Sequence, residues 1–173
     1  MKKILIVVDM QNDFVNGSLG SERARSITAN VQKKIARYRA NDYLVIFTRD
    51  THDKNYLNTR EGKNLPVEHC VYGTPGWEVI DGLDSTAERF YVDKNNFAWD
   101  GWKTTLNGYA NAETEFELVG LCTDVCVVSN AIVLRCLYPE NTITVDSSCC
   151  AGVTDEGHEA ALLTLRMCHV NVV

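Results

Sequence analysis

Short apolar runs recur along the chain and contain many valines and isoleucines, without regular alternation between polar and apolar residues. Runs of this kind predict strands that are buried on both faces of a sheet. They occupy residues 3–8, 43–48, 116–121, 142–145 and 169–173. Apolar residues recur with helical spacing within 24–38 and 128–136, and a Thr-Asp-Glu start predicts a third helix over 154–167.

This alternation of strands and helices predicts a doubly wound α/β fold. Right-handed crossovers through helices build an open, mostly parallel sheet with helices on both faces, which is a three-layer sandwich. Residues 51–111 depart from the pattern, since they show little periodicity and hold two of the three prolines and all three tryptophans. Long irregular insertions on a rigid scaffold commonly carry binding or catalysis, so we expect this segment to contribute to a site.

Composition narrows the class of protein. The length of 173 residues suits a single domain spanning 1–173, and the hydrophobic fraction of 45% and charged fraction of 23% are typical of a globular protein. The net charge of −6 comes without a basic stripe, which argues against a nucleic-acid partner. No run approaches the roughly 20 apolar residues that cross a bilayer, so no membrane partner is expected. The sequence leaves open whether the chain forms a homo-oligomer.

The cysteines indicate the compartment. Seven of them form an odd, scattered set in a chain whose start lacks the pattern of a secretory signal. This set predicts reduced thiols in a cytoplasmic protein. No CxxC pair is present, which argues against a structural zinc ribbon.

Polar residues follow three of the predicted strands. Asp9 ends the first strand, Asp50 follows the second, and residues 123–126 follow the third. Open α/β sheets bind ligands outside the carboxyl ends of their strands, so we expect these residues to converge.

Cys126 stands apart from the other cysteines because it would begin a helix. Thr123 or Asp124 is the predicted cap of that helix. The N–H groups at a helix start favour a thiolate and can bind an oxyanion. Position alone fits a buried structural cysteine equally well.

Three motifs, in this order, resemble those of the isochorismatase-like cysteine hydrolases, the superfamily that contains the nicotinamidases. They are IVVDMQNDF at 6–14, VDK at 92–94 and GLCTDVCV at 120–127. The resemblance runs along nearly the whole chain. It implies the isochorismatase-like form of the three-layer sandwich and the hydrolysis of a small amide.

The resemblance also implies which residues act. The family's catalytic triad maps onto Asp9, Lys94 and Cys126, and its oxyanion hole onto the backbone N–H groups of Cys122 and Cys126, with a cis peptide bond between Leu121 and Cys122. The chemistry agrees with this assignment. An acid beside a thiol can take its proton, a lysine can stabilise negative charge, and a thiolate can attack an amide carbonyl to form a thioester.

A second group of residues resembles the metal site of nicotinamidases. It consists of Asp50, His52, Glu61 and His69. Two imidazoles and two carboxylates suit a divalent ion, with zinc favoured and iron or manganese as alternatives. The chain departs from many nicotinamidases because 53–57 lacks a further histidine, and Glu61 is the expected replacement. A set of solvated loop residues is the alternative interpretation.

Aromatic residues are candidates for stacking on a planar substrate. Leu65 stands where a tryptophan is usual in the family. Phe14, Phe97 and Trp99 are therefore the predicted substrate-binding residues.

These features favour hydrolysis of nicotinamide to nicotinate and ammonia, a reaction of NAD metabolism, with a small-molecule amide as the substrate. The first alternative is a metal-free amidohydrolase of another small amide, carbamate or ureide. The second is a binding module without catalysis. A dinucleotide-binding domain is disfavoured because no GxGxxG follows the first strand.

Overall fold

Six parallel strands form the central sheet in the computed structural model, which describes residues 2–86 and 89–173. The strands are β1 (Lys3–Val8), β2 (Leu44–Asp50), β3 (Phe90–Lys94), β4 (Glu115–Leu121), β5 (Ile143–Ala151) and β6 (Asn171–Val172). Their order is β3-β2-β1-β4-β5-β6, so the direction of winding reverses between β1 and β4. The predicted doubly wound α/β fold is confirmed, and every pairing in this sheet is parallel.

Helices cover both faces of the sheet. They are α1 (Asn12–Val15), α2 (Glu22–Arg39), α3 (Arg60–Asn64), α4 (Trp102–Thr105), α5 (Val128–Leu137) and α6 (Asp155–Met167). The long helix α2 packs on one face through the apolar stripe that its sequence shows, whereas α5 and α6 pack on the other. Among the described residues, no helix has the length and apolar character that crossing a membrane requires.

Two hydrophobic cores, one on each face of the sheet, explain the apolar runs in the strand sequences. Along β1, Leu5 and Val7 face the core under α2, whereas Ile4 and Ile6 face the core under α5 and α6. Successive side chains of a strand point to opposite faces, and both faces are covered here. The positions of β1 from Ile4 to Val8 are therefore all buried.

Two strands differ from the sequence prediction. Strand β3 was expected to be irregular, but it pairs with β2 in parallel register at the edge of the sheet. Strand β5 continues to Ala151, well beyond the predicted end at residue 145. Its polar residues are accommodated because Asp146 forms an ion pair with Lys34 of α2.

Candidate active site and metal centre

The three side chains of the predicted triad meet at the carboxyl ends of strands in one half of the sheet and its centre. Asp9 directly follows β1, Lys94 ends β3, and Cys126 follows β4. The chain diverges in opposite directions after β1 and β4, which leaves a crevice of the kind that binds ligands in open α/β sheets. The structure thus brings together the residues of the predicted triad.

Asp9 is held through both its backbone and its carboxylate. Its φ of 48° lies in the left-handed region, which turns the chain sharply away from β1. Its N–H group lies 3.2 Å from the carbonyl oxygen and 3.2 Å from the hydroxyl oxygen of Thr48 on β2. The Thr48 hydroxyl donates in turn to Asp9 Oδ1 at 2.6 Å. Only the second carboxylate oxygen, Oδ2, is left to face the other triad residues.

Lys94 connects the members of the site. Its Nζ lies 2.7 Å from Asp9 Oδ2, 3.6 Å from Asp50 Oδ1 and 3.6 Å from Cys126 Sγ. The side chain is fully buried, where an isolated ammonium would be strongly unfavourable. Burial opposes its charge, but the negative groups around it, Asp9 first, outweigh burial and raise the pKa of Lys94.

The surroundings of Cys126 oppose ionisation of its thiol. Burial raises the pKa of Cys126 well above its ordinary value, the charge of Asp9 raises it further, and Lys94 offsets only part of the effect. Burial also raises the pKa of Asp9 against the attraction of Lys94. Burial therefore opposes the thiolate that a helix start alone would favour. The thiol therefore lies beside a carboxylate that can accept a proton and an ammonium that can stabilise negative charge.

Cys126 lies in a π-helical turn, Thr123–Val127, that leads into α5. Two N–H groups of this segment donate to the carbonyl oxygen of Cys122 at 3.1 Å each. The peptide bond between Leu121 and Cys122 is cis, as the resemblance implies. Single π turns inside helices are frequent at functional sites.

The predicted caps of this helix are wrong. Residue Cys122 takes the cap position, and no side chain caps the turn. The Thr123 hydroxyl instead lies 2.8 Å from Nδ1 of His158 on α6. The Asp124 carboxylate accepts from the N–H of Val153, at 3.0 and 3.1 Å to its two oxygens. Thr123 thus fixes the turn to α6, and Asp124 fixes it to the segment between β5 and α6. The local sequence does not reveal these tertiary contacts.

The four predicted metal ligands form one cluster. One ligand atom from each of Asp50, His52, Glu61 and His69 lies within 4.8 Å of the other three. The Nε2 atoms of His52 and His69 lie 2.9 and 3.5 Å from Asp50 Oδ2. Burial opposes the charge of Asp50, but hydrogen bonds from the two imidazoles outweigh it and lower the pKa of this carboxyl.

The orientation of His69 fits a metal ligand. Its Nδ1 lies 2.8 Å from the carbonyl oxygen of Val67, which can only accept a hydrogen bond. This contact holds a proton on Nδ1, so Nε2 is the ring nitrogen that faces the cluster. Backbone partners that fix the ring and tautomer of a histidine are typical of metal sites. The four donor residues, together with the contact between His69 Nδ1 and the Val67 carbonyl oxygen, fit a divalent ion.

Gln11 is a buried residue that the sequence interpretation did not single out. Its Oε1 accepts from the Asp50 N–H at 2.7 Å, and its Nε2 donates to the carbonyl oxygens of Asp50 at 2.9 Å and Trp77 at 2.8 Å. The side chain thus continues the pairing of β1 with β2 after β1 has ended. Its place two residues after Asp9, in the first motif, was the available signal.

Asn130 is a second missed residue. It is fully buried on α5, donates to the carbonyl oxygen of Cys126 at 2.8 Å, and accepts from the Trp102 indole at 2.9 Å and the Trp99 N–H at 3.0 Å. It also donates to the Phe97 carbonyl oxygen at 3.1 Å. Asn130 therefore anchors the segment after β3 to the turn that carries the cysteine.

A cleft of about 1110 Å³ opens over the cysteine and the metal-ligand cluster. Phe14 and Phe97 lie in its wall, and the Phe14 ring is 5.4 Å from the ring of His69. Trp99 does not line the cleft, because its ring packs against the core and its Nε1 donates to the Thr105 hydroxyl at 2.9 Å. Only two of the three predicted stacking residues are therefore placed to meet a ligand.

The tyrosine Tyr56 is an additional aromatic residue of the cleft that the sequence did not single out. Its ring centroid lies 4.5 Å from that of His52 and 4.9 Å from that of His69. Its hydroxyl donates to the Leu65 carbonyl oxygen at 2.9 Å. Aromatic rings thus pack against both imidazoles and limit the access of water to the cluster.

Known proteins match this chain along its whole length. The family model of the isochorismatase domain matches residues 3–173. The nicotinamidase/pyrazinamidase of Mycobacterium tuberculosis is 30% identical, over 99% of this chain and 98% of that protein. A protein of Arabidopsis thaliana described as a probable inactive nicotinamidase is also 30% identical, over 94% of this chain and 87% of that protein.

Solved structures share the fold that carries the site. The nicotinamidase/pyrazinamidase of Bacillus subtilis superposes with a TM-score of 0.87 and 28% identity over 100% of both chains. The pyrazinamidase of Pyrococcus horikoshii, solved in complex with zinc, gives a TM-score of 0.85 and 25% identity over 100% of this chain and 99% of that chain. Matched from residue 3 to residue 173 and folded like these relatives, the chain belongs to the isochorismatase family.

Proposed function

We propose that this protein hydrolyses a small carboxamide through a thioester on Cys126, and that nicotinamide is the substrate. The observation that carries the proposal is the buried contact of Lys94 Nζ with both Asp9 Oδ2 and Cys126 Sγ, at 2.7 and 3.6 Å, at the base of the cleft. A lysine, a carboxylate and a thiol have no structural need to share one buried point. Amidase relatives of the same family support amide hydrolysis.

The first half-reaction acylates the cysteine. The Asp9 carboxylate takes the thiol proton as Cys126 attacks the carbonyl carbon, and Lys94 stabilises the negative charge that develops. The N–H groups of Cys122 and Cys126 are the proposed donors to the oxyanion. When the C–N bond breaks, Asp9 passes its proton to the departing nitrogen. Ammonia leaves and a thioester remains.

The second half-reaction restores the enzyme. Asp9 is again a carboxylate, and it takes a proton from a water molecule that attacks the thioester carbon. The C–S bond breaks, the carboxylic acid product forms, and the proton returns to the sulfur of Cys126. Burial supports this step because it opposes ionisation of the regenerated thiol.

Asp50, His52, Glu61 and His69 are the proposed ligands of a divalent ion, with zinc favoured and iron or manganese as alternatives. A zinc-bound relative of the same fold supports this assignment. Such an ion supplies a Lewis-acid contact for a heteroatom of the substrate. Phe14 and Phe97, which line the cleft, are the proposed contacts of the acyl group, with the carboxamide facing the thiol.

Ammonia release from purified protein tests the proposal. Nicotinamide and a panel of small amides, carbamates and ureides are compared with the Cys126→Ala protein as the background. Hydrolysis of nicotinamide above that background is the expected result. Release from another member of the panel alone would favour the metal-free amidohydrolase. Release from none would indicate a binding module, which the probable inactive relative makes a concrete alternative.

A further inference from the structure

The cleft is longer than a single ring with its carboxamide. It extends from His52, which follows β2, to Gly152 and Val153, which follow β5. These strands are three positions apart in the order β2-β1-β4-β5. Strands are spaced by roughly 4.8 Å, so the two ends are separated by roughly 14 Å. A primary amide of one ring fills only the part nearest the metal ligands.

The two ends of the cleft differ in chemistry. The end at β2 carries the carboxylates and imidazoles of the metal-ligand cluster. The opposite end is formed by small or apolar side chains, and we call it the apolar end. Its residues are Leu19, Ser21, Ala24, Val125, Gly152 and Val153. Of these described residues, none has a titratable side chain, and the Ser21 hydroxyl is engaged as the acceptor for the Ala24 N–H at 3.1 Å.

The position of the apolar end follows from contacts of α2. Arg23, in its first turn, forms an ion pair with Asp155 at the start of α6. Further along α2, Asn30 donates to the carbonyl oxygen of Ser148 on β5 at 2.9 Å. The start of α2 therefore lies over the carboxyl end of β5, across Cys126 from the metal-ligand cluster.

We propose that the site also hydrolyses secondary carboxamides, whose N-alkyl group occupies the apolar end. This inference rests on the proposed function. The acyl group and the N-substituent of a trans amide lie on opposite sides of the carbonyl carbon. When the acyl group faces the imidazoles and the carbonyl carbon lies at Cys126, the N-substituent points toward Val153. One strand spacing of roughly 5 Å admits an alkyl chain of about three or four carbons.

The chemical balance differs from that of a primary amide only in the leaving group. The C–N bond breaks as before, and the proton that Asp9 took from the thiol goes to the nitrogen of the alkylamine. Water then completes hydrolysis of the thioester. The products are a carboxylic acid and a primary amine in place of ammonia.

A series of nicotinamide and its N-methyl, N-ethyl and N-propyl derivatives tests the inference by kcat/KM, with amine and ammonia measured separately. The expected kcat/KM for N-propylnicotinamide is at least that of nicotinamide. Ammonia from nicotinamide without amine from any derivative would overturn this inference and leave the proposed function intact. No product from any member would overturn both.

Binding to the Cys126→Ala protein tests the apolar end without turnover. Each added methylene is expected to lower Kd about threefold, as for partial burial of an apolar group. Val153→Trp, which fills the apolar end from the rim, is expected to abolish that trend. Leu163→Trp is the matched control, since Leu163 is an exposed residue on α6 outside the cleft. A Kd that stays constant or rises along the series would overturn the inference.

Discussion

At the scale of single residues, the proposed chemistry rests on the pair formed by Asp9 and Lys94. Both side chains are fully buried and their charged atoms are 2.7 Å apart, so each supplies the counter-ion that the other needs. Cys126 lies within reach of the same ammonium at 3.6 Å. The thiol can therefore lose its proton without leaving a net charge uncompensated in the interior.

Substitution of the nucleophile is expected to separate catalysis from folding. Cys126→Ala removes one buried sulfur, which costs about 1 kcal/mol of unfolding free energy, but it deletes the covalent step and lowers kcat by roughly three orders of magnitude or more. Amide hydrolysis and urea unfolding measure the two effects. Cys149→Ala is the matched control, because it truncates another buried cysteine outside the cleft. Activity of Cys126→Ala near that of the unaltered protein would exclude a cysteine mechanism.

The two charged members of the triad are expected to behave differently from the cysteine. Asp9→Asn and Lys94→Ala each abolish proton transfer or charge stabilisation, and each also leaves one buried charge without its partner. Breaking such a pair costs about 3–5 kcal/mol, so both variants are less stable as well as inactive. Activity and the midpoint of urea unfolding are measured on the same preparations. A folded variant that keeps its rate would remove that residue from the triad.

Gln11 is expected to control metal affinity through Asp50. Gln11→Glu replaces the amide nitrogen by an oxygen that faces two carbonyl oxygens, so the end of β2 loses its fixed position. Loss of an outer-shell partner of this kind weakens metal binding by about 10-fold to 100-fold. Calorimetric titration of zinc into stripped protein measures the change. Gln32→Glu, on the outer side of α2, is the control, and equal affinities in the two variants would contradict the prediction.

Some residues of the site could be predicted from the sequence and others could not, for a physical reason. Asp9 and Cys126 stand at strand ends and within motifs, so local sequence already marks them. Gln11 and Asn130 act through hydrogen bonds to segments far along the chain, and their partners exist only after the sheet has assembled. Trp99 is the opposite case: its aromatic ring was predicted to bind the substrate, but it packs against the core.

At the scale of elements, the strands that escaped prediction are those at which polar residues have tertiary partners. Strand β3 carries Asp93, whose carboxylate accepts from Arg49 at 2.7 and 2.9 Å across the pairing with β2. The Arg49 guanidinium also lies over the rings of Trp77 and Tyr91, at 3.6 and 4.1 Å from their centroids. This contact supports the register that places Lys94 beside Asp50. An apolar pattern could not reveal a strand stabilised in this way.

The ion pairs of Lys34 are expected to make the packing of α2 on the sheet depend on pH. Its Nζ lies 2.5 Å from Glu117 on β4 and 2.7 Å from Asp146 on β5. Burial opposes ionisation of Asp146, but hydrogen bonds from Lys34 and Ser148 outweigh it and lower its pKa. A folded pKa below the unfolded value of 3.8 gives stability that is complete above that pH and is lost as pH falls through the folded value.

Asp146→Asn is therefore expected to cost about 1 kcal/mol of unfolding free energy near neutral pH, and less as the solution is acidified. Urea unfolding of both proteins over a range of pH measures the difference. Asp81→Asn, at an exposed aspartate, is the control and should change little at any pH. A difference between Asp146→Asn and the unaltered protein that stays constant below pH 3.8 would show that the carboxylate charge is not responsible.

At the scale of the whole molecule, the order of the strands determines what can meet. Residues from β1, β2, β3 and β4 converge because the sheet is parallel and winds outward from β1 and β4 in opposite directions. The segment after β2 then folds back over this edge and brings Glu61 and His69 to Asp50. Such convergence could be predicted from the strand pattern, whereas the path of the returning segment could not, because it has little periodic sequence.

A metal ion bound to this cluster is expected to stabilise the folded chain as a whole. Its ligands come from the end of β2, from α3 and from His69, so binding ties the irregular segment to the sheet. Free zinc at 100 times its Kd adds about 2.7 kcal/mol, which corresponds to a rise in Tm of roughly 5 to 10 °C for a chain of this size. Thermal unfolding of stripped protein with and without zinc measures this rise in Tm.

Two histidine variants are the controls for this prediction. His69→Ala should abolish the rise in Tm, whereas His169→Asn should keep it, since asparagine tolerates the φ of 60° at this exposed site. Alkylation of Cys126 is expected to continue when a chelator has suppressed nicotinamide hydrolysis, because the thiol is not a ligand of the cluster. A Tm that does not respond to zinc, iron or manganese would contradict the metal centre while leaving the triad in place.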